Sequence, residues 1–218
     1  RLSTGFDQTF SPKARVSVSY AYVHGERLFR GLNLNPPVGG VRPDPGFANV
    51  VEVSGDASTR QHQLTTNMNL SLSSTPISPV PGALTAGKRV DWRRMVVTTT
   101  YTLARLENNT DGTFAVPSGA LSEEWGPAGN DVRHRLFVSM NNQMLRNFSA
   151  VVSLTASSGT PYTIRTGADD NGDGIFNDRP AGVGRNTERA PAQWFVNANL
   201  VYSIPLGNRP GVLPPGGI

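Results

Sequence analysis

The 218 residues carry 20 Lys+Arg against 16 Asp+Glu, a net charge of +4 with no dense basic run, which argues against a nucleic-acid partner. Only 37% of the chain is hydrophobic, and 23 Gly and 17 Pro punctuate it with turns, a balance that points away from helical folds. Zero Cys excludes disulfides and thiolate metal sites; the mean hydropathy of -0.30 and the lack of any run near the roughly 20 apolar residues of a membrane helix leave one membrane class open, the β-barrel, whose strands alternate.

The opening residues, RLSTGFDQTF, lack the basic start and apolar core of a signal peptide, so the chain is expected either not to be exported or to begin inside a longer one. They read as a first strand, turned by SPK at 11–13 into a second, where Val16, Val18, Tyr20 and Tyr22 alternate with Arg15, Ser17, Ser19 and Ala21. A long excursion over 28–59 follows. The next strand is the clearest: Leu64, Thr66, Met68, Leu70 and Leu72 interleave with Gln63, Thr65, Asn67, Asn69, Ser71 and Ser73. Such alternation outlasts the usual soluble strand of about 5 to 6 residues. A Pro-rich turn at 75–88 leads to a strand over 93–106, with Met95, Val97, Thr99, Tyr101 and Leu103 on one side. A long loop over 108–130 precedes a strand at 131–143 bearing Val132, Leu136, Val138 and Met140. A short turn at 144–147 introduces Phe148, Ala150, Val152, Leu154 and Ala156; a third long loop, 165–192, precedes Trp194, Val196, Ala198, Leu200, Tyr202 and Ile204, with Phe195 and Val201 as exceptions.

The sum is about seven strands of an all-β protein whose connections alternate between long and short. Outer-membrane barrels place long loops outside and short turns in the periplasm, and Tyr20, Tyr22, Trp92, Tyr101, Trp194 and Tyr202 near strand ends suit interfacial girdles. The predicted fold is therefore a transmembrane antiparallel β-barrel segment, with outer-membrane lipid as its surroundings. A soluble, calcium-stabilised β-sandwich used for adhesion is the alternative, since half-buried strands alternate there too. A β-rich hydrolase is the weakest reading, because bunched loop carboxylates do not span a cleft, and no enzymatic activity is expected.

The third loop contains DDNGDGIFNDRP, 169–180. Asp169, Asn171 and Asp173 occupy the first, third and fifth positions of a calcium-type loop, Gly174 the sharp turn, and Ile175 the position that offers a backbone carbonyl. Pro180 stands where a closing Glu belongs, so Asn177 and Asp178 are the expected late oxygens. The functional reading is a structural Ca2+ site; the competing reading is a set of Asx turns, since Asp, Asn and Gly are ordinary loop residues.

YTLA (101–104), EEWGPAGNDVRHRLFVS (123–139), SGTPYTIRTGADDNGDGIFNDRPAGVGRNT (158–187) and FVNANLVYSIPLG (195–207) resemble the C-terminal barrel portion of TonB-dependent receptors, in the Oar-like group that carries a carboxypeptidase regulatory domain. The resemblance implies about seven strands of a 22-stranded outer-membrane transporter that takes up or binds a small extracellular nutrient. It also implies a plug domain and contact with TonB, both expected N-terminal of Arg1, and the ending GVLPPGGI lacks the family's terminal aromatic strand, so the chain is expected to be a segment of a larger protein. In a barrel, Asp131, Arg133 and Arg135 share the parity opposite Leu136 and Val138 and form a candidate lumen charge ladder, with a salt-bridge network at the rim as the competing reading. RPAGVGRN (179–186) has no strand-to-helix setting, so a phosphate-loop reading is weak.

Overall fold

The computed structural model describes residues 1–72, 94–145 and 147–204. The Pro-rich turn expected at 75–88 and Trp92 lie outside the described residues. Seven long strands are present among the described residues: β1 (Leu2–Ser11), β2 (Ala14–Asn33), β3 (Val51–Ser71), β4 (Met95–Asn108), then β6 (His134–Asn142), β7 (Phe148–Ser157) and β10 (Gln193–Tyr202). Three two-residue pieces complete the set: β5 (Gly126–Pro127), β8 (Pro161–Tyr162) and β9 (Glu188–Arg189). The long strands form one antiparallel meander in the order β1-β2-β3-β4-β6-β7-β10, with β5 added to the end of β4; β8 and β9 make a separate ribbon. Among the described residues β1 and β10 are the free edges, so the sheet is open.

The register explains why alternation is so visible in the sequence. Cross-strand partners point to the same side of a sheet. Phe6, Val18, Thr66, Tyr101, Leu136, Ala156 and Trp194 form one continuous row across all seven strands, and Gln8, Val16, Met68, Thr99, Val138, Leu154 and Val196 form the next. On the opposite face the row Thr9, Arg15, Asn69, Thr98, Ser139, Ser153 and Asn197 is wholly polar. Its side chains bond along the sheet: Asn69 Nδ2 donates to Thr98 Oγ1 at 3.2 Å, Thr100 Oγ1 to Asn67 Oδ1 at 2.9 Å, and Arg15 Nε to Asp7 Oδ1 at 2.9 Å.

Among the described residues no second layer covers the apolar face. The buried hydrophobic residues among those described are Ala57, Ala128 and Ala150, while Asn35 and Asp131 are the largest fully buried side chains. A sandwich would bury its Leu, Ile and Phe between two sheets. Here Leu64, Met68, Leu103, Trp194 and Leu200 stay exposed, which overturns the β-sandwich alternative.

Nearly half of the excursion expected over 28–59 is strand. β2 has 20 residues and β3 has 21, against 9 or 10 in β6, β7 and β10, so the paired β2–β3 ribbon overruns its neighbours and the true loop is 34–50. Register shifts between Gly25 and Leu28 and between Leu28 and Arg30 interrupt the period there, and Arg27 takes a left-handed conformation at φ 59. Arg30 then ties the extension together, with Nε donating to Asp56 Oδ1 at 2.7 Å and Nη2 to Oδ2 at 2.5 Å.

Candidate functional site

Antiparallel order sends the connections β2–β3, β4–β6 and β7–β10 to the same end of the sheet, and their residues interlock there. Glu124, which is 4% exposed, is the first hub. Its Oε1 accepts from Arg179 Nη2 at 2.8 Å, its backbone oxygen accepts from Arg185 Nε at 3.0 Å, and that Nε also lies 3.8 Å from Oε2. Arg185, only 2% exposed, spends its other nitrogens on Asp111 Oδ1 and on the backbone and side-chain oxygens of Asn108. One guanidinium thereby fastens the β7–β10 loop to the end of β4. Asn186 adds a bond from Nδ2 to the carbonyl of Pro127 at 2.8 Å, and Trp125 lies under Arg60, 5.4 Å from guanidinium to ring centroid.

Asp131 is the second hub. Its Oδ1 accepts the backbone N–H of Leu106 at 2.7 Å, and its Oδ2 receives Arg189 Nη2 and lies 3.5 Å from Arg133 Nη2. Arg189 Nη1 also donates to the carbonyls of Asp131, at 2.8 Å, and Gly159, at 3.2 Å. Gly159 is required by close approach: a Cβ there would lie 1.8 Å from the Ala190 carbonyl oxygen.

The loop 169–178 is held chiefly by its own amides. Asp169 Oδ2 accepts from Gly174 N at 2.9 Å, Asn171 Oδ1 from Asp173 N at 2.9 Å, Asp173 Oδ1 from Ile175 N at 2.7 Å, and Asp178 Oδ2 from Asp170 N at 2.7 Å. The Ile175 carbonyl accepts from Asn177 N at 2.9 Å. Asp169 Oδ1 and Asn177 Oδ1 are buried without a hydrogen-bond partner. Among the described residues no three His, Cys, Asp or Glu side chains are grouped to hold a metal ion. The arrangement is a run of Asx turns pinned to its neighbours: Asn177 Nδ2 donates to Val116 O at 2.7 Å, Asn171 Nδ2 to Ser118 O at 3.4 Å, and Arg42 Nη2, from the 34–50 loop, to Asp173 O at 3.0 Å.

A cavity of about 360 Å³ opens between the interlocked loops. Phe114, Val51 and Ile175 supply apolar wall, and Arg165, Arg179, Arg185, Asp111 and Glu124 supply charge.

A family model described as an outer membrane beta barrel domain matches residues 1–212. The chain belongs to that family. No curated protein and no solved structure shows a significant match. The domain places the protein in the bacterial outer membrane, and the two faces of its sheet acquire their solvents: the apolar rows meet lipid and the polar rows face the lumen. No helix among the described residues is long and apolar enough to cross a membrane. Tyr20 OH meets His62 Nδ1 at 2.7 Å, and Tyr101 OH meets His134 Nδ1 at 2.7 Å, both on the lipid-facing parity of the outer-membrane domain. Each pair satisfies the polar atoms of its ring residues.

Of the candidate ladder, Asp131 and Arg133 meet in the rim hub, whereas Arg135 stands apart on the lumen parity, opposite Thr102 and Ser157. Glu124, Arg179, Arg185 and Arg189 were passed over in the sequence, although a signal was present. Three arginines spaced through a Gly-rich loop need acceptors if that loop is ordered, and Glu124 beside Trp-Gly-Pro is one.

Proposed function

We propose that this outer-membrane wall belongs to a TonB-dependent receptor, a larger barrel of the 22-stranded type that binds or imports a small extracellular nutrient. The supporting observation is the cap. Three long loops gathered at one end of the sheet are locked by buried Arg–carboxylate pairs around a cavity of about 360 Å³, at the end where the β2–β3 ribbon overruns the other strands. A purely structural wall has no use for so ordered a mouth, and binding residues sit on loops held by a rigid scaffold. The long loops are extracellular in this reading, and the turn at Pro12–Lys13 is periplasmic. The role is binding and transport, without catalysis.

The test is physical coupling to TonB. In cells expressing the full-length protein, site-specific crosslinking should join it to the periplasmic domain of TonB, and ligand occupancy or proton-motive force should change the yield. Full-length protein that reaches the outer membrane and never crosslinks would remove the TonB-dependent reading and leave an outer-membrane barrel of another kind.

A further inference from the structure

We infer that the cavity between the β4–β6 and β7–β10 loops takes a small organic acid, its carboxylate held by Arg165 and its apolar body laid against Phe114, Val51 and Ile175. The inference rests on the receptor reading and names the ligand class for it. Charge accounting around the cavity carries it. Three cations line the space, Arg165, Arg179 and Arg185, against two anions, Asp111 and Glu124, an excess of one positive charge. Arg179 is committed to Glu124 at 2.8 Å, and Arg185 to Asp111, Asn108 and Glu124. Arg165 alone of the three has no hydrogen bond or ion pair among the described residues, and it is exposed.

The committed pairs make the uncommitted one useful. Glu124 and Asp111 are already engaged, so neither is free to draw Arg165 away or to repel an incoming anion at full strength. A guanidinium offers a planar fork that matches a carboxylate bidentately, and the apolar wall beside it reduces competition from water. The volume suits a small molecule, at the lower end of the roughly 300–1,000 Å³ usual for such sites. Arg165 lies three residues beyond β8, the short ribbon strand whose preceding Gly159 packs against Ala190.

The experiment uses full-length protein in detergent with two probes of equal shape, 3-phenylpropionate and the neutral 3-phenylpropionamide, titrated by calorimetry. The carboxylate should bind about tenfold or more tightly than the amide, the range a charge-assisted hydrogen bond supplies. Arg165→Gln should erase that preference and leave amide binding unchanged; the side chain is exposed and unbonded, so folding should not suffer. Equal affinity for both probes, no binding of the carboxylate, or a preference that survives Arg165→Gln would each overturn the site. The outcome is separable from the receptor reading: a protein that crosslinks to TonB yet does not discriminate rejects only the organic-acid site, whereas one that discriminates without crosslinking keeps the site and loses TonB-driven import.

Discussion

Glu124 holds two guanidinium groups where almost no water reaches, and a buried ion pair is unforgiving of the loss of one partner. Removing one member of such a pair costs about 3–5 kcal/mol because the other charge is left desolvated. Glu124→Gln should therefore open the loop cap without dissolving the sheet, and trypsin should cut after Arg185 much faster than in the parent while the strands stay assembled. An unchanged cleavage rate would show that the pairs contribute nothing to loop order. Gly159 makes a second residue-scale prediction. A Cβ at Gly159 meets backbone 1.8 Å away, whereas one at Gly129 meets nothing within 4 Å. Gly159→Ala should raise amide exchange in the β8–β9 ribbon and Gly129→Ala should not; equal exchange in both variants counts against the packing described. These residues were conspicuous in the sequence as parts of Glu-Trp-Gly-Pro, Asp-Val-Arg and Ser-Gly-Thr-Pro-Tyr, yet their roles were not legible. Arg179 meets Glu124 across 55 positions and Arg185 meets it across 61, and nothing in one sequence says which carboxylate a distant arginine will find.

Strands were far more legible than loops, because period two is a local property and each face here has one solvent. In β3, Met68 stands between Val16 and Thr99 on the lipid-facing parity, and Asn67 between Ser17 and Thr100 on the other. Met68→Arg should cost about 2–4 kcal/mol if it lies near the bilayer midplane and reduce assembly in the outer membrane, whereas Asn67→Arg should assemble nearly as well as the parent. Equal assembly of the two would remove the distinction between the faces. Strand ends were legible only where the period held; the register shifts after Gly25 hid 28–33 of β2 and 51–59 of β3, which read as loop. The loop 169–178 shows the opposite limit. Alternate Asp and Asn residues serve a cation or an Asx turn equally well, and only the positions of the amides separate the two. If the oxygens of Asp169, Asn171, Asp173 and Asp178 serve only the backbone N–H groups they accept, chelation with EDTA should leave proteolysis around Ile175 and Phe176 unchanged, and added calcium should give no protection. Calcium-dependent protection that Asp173→Ala abolishes would instead establish the metal site.

At the scale of the molecule, the arrangement is that of a membrane wall: mainly apolar side chains outward, mainly polar side chains inward, and deeply buried groups that are mostly polar and mostly at the loop end. Hydropathy averaged over the chain concealed this, because alternation cancels in the mean; the register of seven strands restores it. A composition that reads as soluble and a structure without an apolar interior are two consequences of the same alternation. These 218 residues contain no cysteine, so once any cysteine elsewhere in the full-length protein is replaced the claim is directly measurable. Single cysteines placed at each position from Gln63 to Leu70 of the full-length protein, assembled in the outer membrane and spin-labelled, report lipid-phase oxygen against an aqueous paramagnetic reagent. Positions 64, 66, 68 and 70 should be accessible to oxygen and shielded from the aqueous reagent, with 63, 65, 67 and 69 the reverse, whereas accessibility without a period of two, or with the opposite phase, would contradict the barrel-wall account.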